Sequence, residues 1–199
     1  VVGTKLSIDP DTDSQQAIAE IKYHLRDRTK EYGNVQLLFQ RIYFNRFVEL
    51  RSILNSRKAH VTDINLTRNF IDPATSLFDF SRFNNFKAML WDQKKSLKEL
   101  ILTGNDMGDQ STLMIASYIE TANNQLNVLD LRYNLISNRG LIALIDSLKS
   151  KNSQITTLLV DGNTFDPQAR QWAIKTVNLI NQSKTKPICL DLEKNCQIS

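Results

Sequence analysis

The sequence predicts an α/β solenoid, in which units of strand, turn and helix stack on one another. Three observations carry that prediction. One template, apolar-x-x-apolar-x-apolar-x-x-Asn-x-apolar, recurs along the chain with asparagines at positions 69, 105, 134, 163 and 195. Within each copy the apolar residues alternate as they do in a short strand with one buried face. After each turn the apolar spacing changes to the step of a helix packed along one side.

In chain order, Val61, Ile64, Leu66, Asn69 and Ile71 form the first clear copy, and Leu97, Leu100, Leu102, Asn105 and Met107 the second. Leu126, Leu129, Leu131, Asn134 and Ile136 form the third, and Ile155, Leu158, Val160, Asn163 and Phe165 the fourth. A degenerate fifth copy runs from Pro187 through Leu190, Leu192 and Asn195 to Gln197. Each Asn side chain can bond backbone groups left unpaired where the chain turns away from the sheet, which a buried turn requires. Helices are expected behind N-caps at Asp72 (before Pro73), Asp109, Ser137 and Asp166 (before Pro167). Their apolar stripes include Leu113, Ile115, Ala116 and Ile119, then Leu141, Leu144, Ile145 and Leu148, then Trp172, Ala173, Val177 and Ile180.

The first sixty residues follow the template less closely. Thr4–Ile8 reads as a strand, followed by Asp9-Pro10 and an amphipathic helix over Ser14–Arg28. Leu37, Gln40, Ile42, Asn45 and Phe47 are compatible with a further degenerate unit, with a helix near Phe47–Ser56. The domain reading is therefore a helical or degenerate-repeat cap over 1–60 and about five repeats over 61–199, the last incomplete. The cap is expected to cover the first edge of the sheet. At the other end no polar capping helix follows Asn195, so the chain is expected to continue or that edge to be paired.

The template resembles the leucine-rich repeat family, in its long ribonuclease-inhibitor-like subtype. Leu126–Gln154 carries the resemblance best, with Leu126, Leu129, Leu131, Asn134, Ile136, Gly140, Leu144 and Leu148 in pattern. Thr75 and Ala169 depart from it near the slot that Gly140 fills, and the 36 residues from Asn69 to Asn105 are long for the subtype. The resemblance implies a horseshoe fragment with a parallel sheet on the concave face and helices on the convex face. Repeats this irregular look like leucine-rich effectors that some bacteria deliver into host cells.

Composition narrows the classes. The 199 residues are 41% hydrophobic and 23% charged, which excludes a disordered chain and fits one domain. No apolar run approaches the roughly 18 to 20 residues of a membrane span. The start at Val1-Val2-Gly3 suggests a trimmed or processed chain. Two cysteines exclude a disulfide scaffold and suggest a reducing compartment, hence a cytoplasmic protein or, for a delivered effector, the host cytosol. The net charge is +4, but residues 22–58 carry nine basic residues against three acidic ones. Nucleic-acid binding there is opposed by the scarcity of aromatics beyond Tyr43 and Phe44.

No catalytic, metal or cofactor site stands out. His24 and His60 belong to one end of the stack, and Cys189 and Cys196 to the other, so no Cys–His nucleophilic pair is expected. Neither cysteine has the spacing of a zinc ligand. The six glycines form no phosphate loop. Trp91 and Trp172 sit in helical apolar patterns and read as packing residues.

The candidate site is the strand face that points away from the buried alternation. It presents Asp63, Asn65, Arg68, Glu99, Ile101, Asp130, Arg132, Tyr133, Leu159, Asp161, Asp191 and Glu193. Acids outnumber bases on this face although the chain is basic, so a protein partner with a basic surface is expected. Arg132 and Tyr133, beside exposed Ile101, Val128 and Leu159, are residue types enriched at binding hot spots. The family resemblance implies a non-enzymatic protein-binding module, one that inhibits or regulates an enzyme. The alternatives are a GTPase-activating regulator of the same subtype, with Arg132 or Arg68 as the exposed arginine, and nucleic-acid binding through the basic N-terminal segment.

Overall fold

The computed structural model describes residues 3–8, 12–27, 29–41, 43–72 and 74–192. Expectations placed on Asp9, Pro10, Arg28, Ile42, Pro73, Glu193, Asn195 and Cys196 lie outside those residues. Strands and helices alternate as β1 (Thr4–Ser7), α1 (Ser14–His24), β2 (Val35–Leu38), α2 (Phe47–Ser56), β3 (Val61–Asn65) and α3 (Phe80–Asp92). They continue as β4 (Glu99–Ile101), α4 (Asp109–Ile119), β5 (Val128–Asp130), α5 (Asn138–Ser147), β6 (Thr157–Leu159), α6 (Pro167–Asn181) and β7 (Cys189–Asp191). The seven strands form one parallel sheet in sequence order. Its register aligns Asp63 with Glu99, Ile64 with Leu100 and Leu100 with Leu129. Leu129 in turn aligns with Leu158, and Leu158 with Leu190. This is an α/β solenoid of stacked strand–turn–helix units.

The buried alternation holds at every predicted position tested. Leu100, Leu102, Leu129, Leu131, Leu158 and Val160 are fully buried against the helices. Parallel strands repeat at about 4.8 Å, whereas packed helices need about 8 to 10 Å. Stacking the two together places the sheet on the inner side of an arc, with its open face concave.

The asparagines tie each turn to the one before it. Asn105 Oδ1 accepts from the backbone N–H groups of Asn69 and Phe70, at 2.7 and 2.8 Å. Its Nδ2 donates to the carbonyls of Leu66 and Leu102. Asn134 repeats the pattern one unit on, accepting from Asn105 and Met107 and donating to Leu102 and Leu131. Asn163 accepts from Ile136 and donates to Leu131 and Val160. At Asn69 the buried Arg82 guanidinium donates to Oδ1 at 3.2 Å. Arg82 is held over the Tyr43 ring, 3.8 Å from its centroid, and burial lowers its pKa to about 10.

Two of the expected N-caps hold and two do not. Ser137 caps α5 through Arg139 N, and Asp166 caps α6 through Ala169 N, with Pro167 in the first turn. Asp72 does not begin a helix, because an antiparallel bridge between Ile71 and Phe78 closes a small excursion there. Asp72 N donates to Leu77 O and Ser76 N to Asp72 O within it. The aromatic rings of Phe70, Phe78 and Phe83 fix the excursion, with centroids 5.2 to 6.1 Å apart. Asp79 then caps α3 instead. The seven-position shift of the cap from Asp72 to Asp79 accounts for the 36-residue spacing, seven more than the regular 29.

Asp109 is the first residue of α4 behind Gly108, not its cap. Its carboxylate reaches forward to the next unit, where Oδ1 accepts from Ser137 N at 2.9 Å and Gly140 N at 3.2 Å. Gly140 makes that approach possible, since a Cβ there would stand 2.7 Å from Asp109 Oδ1. Trp91 and Trp172 are partly buried against the core, and Trp91 meets Tyr118 edge-on at 5.0 Å between α3 and α4.

Candidate functional site

Strand register places the open-face residues in columns. The first runs through Lys5, Gln36, Asp63, Glu99, Val128, Thr157 and Cys189. The second runs through Asn65, Ile101, Asp130, Leu159 and Asp191. Glu193 lies outside the described residues.

The structure separates acids that are spent from acids that are not. Asp130 is 3% exposed and forms a bidentate pair with Arg132. Its Oδ2 accepts from Arg132 Nη2 at 2.6 Å, and its Oδ1 from the Arg132 Nε and backbone N at 3.0 Å. That pair raises the Arg132 pKa. Asp191 is also buried, at 6% exposure. Asp63 accepts from Gln36 Nε2 and Thr62 Oγ1. Asn65 is turned onto Thr67, whose N and Oγ1 donate to its Oδ1.

Glu99 stands directly beside Asp63 in the register and next to the strand that carries Asp130. Burial, then the like charges of Asp63 and Asp130, raise its pKa above the usual carboxylate value. Sequence reasoning places all of these acids on one face, and the structure keeps them there. It did not foresee that two are buried.

One step beyond the strands lies a slot where the backbone turns left-handed. Arg41, Arg68, Gly104, Tyr133 and Gly162 all take positive φ there, between 50° and 73°. Left-handed backbone costs an ordinary residue roughly 1 kcal/mol or more, so the slot favours glycine. At Arg68 and Tyr133 the large side chain lies across the glycine of the next unit. A Cβ on Gly104 would meet Arg68 Cγ at 3.3 Å, and one on Gly162 would collide with the Tyr133 ring. Tyr133 is thus laid flat across Gly162 and remains 50% exposed. The alternation Arg68, Gly104, Tyr133, Gly162 is the sequence signal for this arrangement, and it is visible only once the register is known.

Elsewhere, Cys189 occupies the first position of β7 and is disulfide-bonded, which removes the support an unpaired thiol would lend to a reducing compartment. Among the described residues no group of three or more His, Cys, Asp or Glu side chains is placed to hold a metal ion. No helix there is long and apolar enough to cross a membrane.

The leucine-rich repeat family model matches residues 93–116 and 122–144, the stretches that hold β4 with most of α4 and β5 with most of α5. The chain therefore contains leucine-rich repeats, and such repeats indicate a protein–protein interaction module. No curated protein matches the chain.

Proposed function

We propose that the chain binds a folded protein partner through its concave face, centred on Tyr133 and the strands beside it. The observation that carries this reading is the Tyr133 ring. It is half-exposed, on the face a solenoid offers to its ligands, and its orientation is set in advance by Gly162. A rigid aromatic held in its bound pose loses little freedom on association, which is what a hot-spot anchor needs.

A basic partner surface suits the accessible acids Asp63, Glu99 and Asp161, with Ile101 and Leu159 as apolar contacts between them. Asp130 and Asp191 shape this floor from below. Arg68 stands at its rim, and Arg132 supplies what its pairing with Asp130 leaves over. Glu193 belongs to the same face by sequence. Residues 1–60 extend the stack as its cap, and 61–199 form the binding repeats.

The resemblance to ribonuclease-inhibitor-like repeats supports a module that inhibits or regulates an enzyme by covering it, in the cytosol. The likeness to bacterial effector repeats makes the host cytosol one such setting. A GTPase-activating role is less well supported, because Arg132 is committed to Asp130 and is not a free finger.

A photo-crosslinking tyrosine analogue at position 133 would capture the partner for identification and titration. Tyr133→Ala should then weaken binding by about 2 kcal/mol or more with the melting temperature nearly unchanged. Unchanged affinity for the captured partner would overturn the concave-face reading. Arg132→Ala is the poorer probe, since it leaves Asp130 buried without its counter-charge and destabilises the fold as well.

A further inference from the structure

The two edges of the solenoid differ in charge, and the proposed concave site does not use the one formed by the helix-to-strand loops. In a parallel sheet every helix-to-strand loop lies on one edge and every strand-to-helix loop on the other. The described helix-to-strand loops, residues 25–34, 57–60, 93–98, 120–127, 148–156 and 182–188, carry eleven basic residues against three acidic, a balance of +8. The described strand-to-helix loops, over 8–13, 39–46, 66–79, 102–108, 131–137 and 160–166, carry four against six, a balance of −2. One edge of the solenoid is therefore strongly cationic, while the whole chain is only +4.

Helix capping does not account for this. The favourable effect of a cation at a helix C-terminus fades within the last turn. Lys98, Lys151 and Lys186 stand six, four and five residues beyond the helices that precede them. They are exposed, and no carboxylate pairs with them among the described residues.

The edge also holds clefts of the right chemistry for phosphate oxygens. One of about 420 Å³, between the loops leading into β2 and β3, is lined by Lys30, Arg57 and Lys58 with Thr29 and Ser56, and by one acid, Glu31. Arg57 Nε and Nη1 are buried there without a hydrogen-bond partner. A second, of about 380 Å³, brings Lys184 and Lys186 together with Ser153, Thr156 and Ser183. Burial lowers the Lys184 pKa, a cost to its charge that an anionic oxygen beside it would offset.

We propose that this helix-to-strand edge docks on an anionic phospholipid membrane. Its charge is spread over five of the six loops along one edge, so a flat anionic surface can meet many of them at once. Nine of the eleven cations are lysines, mobile point charges that suit fluid headgroups better than fixed base edges. Single-stranded nucleic acid would need aromatic platforms, yet the one aromatic among the described residues of these loops, Tyr32, is buried. The inference is independent of the concave-face reading.

Co-sedimentation of the 199-residue chain with vesicles tests it. The protein should sediment with phosphatidylcholine vesicles containing about a third phosphatidylserine, not with phosphatidylcholine alone, and should be released by salt. At about fivefold per charge removed near the surface, Lys98→Gln with Lys151→Gln and Lys186→Gln should weaken binding by roughly a hundredfold. Lys87→Gln with Arg139→Gln and Lys175→Gln removes the same charge from the helices and should change it little. Tyr133→Ala should leave it unchanged, which separates this outcome from that of the concave-face test. The proposal fails if serine-containing vesicles do not bind, or if both triple variants lose binding equally. It also fails if an oligonucleotide binds more tightly than the vesicles at the same ionic strength.

Discussion

Asn134 shows how one side chain can hold two repeats in register. Its amide satisfies the backbone N–H groups of Asn105 and Met107 and the carbonyls of Leu102 and Leu131, all within 3.0 Å and all buried. No other residue type of that size offers two donors and two acceptor lone pairs on a short stem. Asn134→Ala would strand the buried N–H groups of Asn105 and Met107, while the carbonyls of Leu102 and Leu131 keep the amides of Asn105 and Asn163 as donors. Each stranded N–H costs about 1 to 3 kcal/mol, so the variant should lose at least about 2 kcal/mol in urea unfolding. A loss below about 1 kcal/mol would mean that water or relaxation replaces the ladder. Asn134→Asp should not rescue, because it keeps the acceptors but loses the donors and buries a charge.

Among the elements, three neighbouring strands set Glu99. β3 brings Asp63 beside it and β5 brings Asp130 close, while burial adds the larger upward push on its pKa. A carboxylate whose folded pKa lies above its unfolded value binds its proton more tightly in the folded state. Its contribution to stability is therefore full below the unfolded value and is lost as pH rises through the folded one. Glu99→Gln removes that loss. The variant should be more stable than wild type at pH 7 by less than about 1 kcal/mol, given its partial exposure. The advantage should shrink as the pH falls and vanish below about pH 4. An advantage that persisted at low pH would mean that packing, not charge, sets the effect.

The strands and most helices of this arrangement are legible in the sequence, because an alternation repeated around a fixed asparagine admits one register. The start of α3 is not. Asp72-Pro73 has the same local form as Asp166-Pro167, and only the distant Ile71–Phe78 bridge and the phenylalanine cluster decide between Asp72 and Asp79. Likewise Asp109 has the form of a cap, while its partners Ser137 and Gly140 are supplied by the next repeat. The face of the candidate site is legible by alternation. The burial of Asp130 beneath Arg132, and the seat of Tyr133 on Gly162, depend on which residues become neighbours across strands.

At the scale of the whole molecule, each repeat touches only its neighbours, so stability should be close to a sum of local units and interfaces. Those interfaces are uneven. α4 and α5 pack closely, with Asp109 bridging them, whereas α3 and α4 share few contacts beside the Trp91–Tyr118 pair. A defect placed in the α4–α5 half should therefore be felt there first. Leu131 is fully buried at the centre of that half, and its truncation leaves a cavity that the flanking repeats cannot fill without moving. Leu131→Ala should cost about 2 to 5 kcal/mol, a large share of the stability of a domain this size. Hydrogen exchange should show protection falling most in β5, β6 and α5 and least in β1 and α1. A uniform loss from end to end would show that the seam at α3–α4 transmits the defect fully and that the chain unfolds as one unit. Protection lost only beyond that seam would locate the weakest interface of the stack where the 36-residue repeat interrupts its regular spacing.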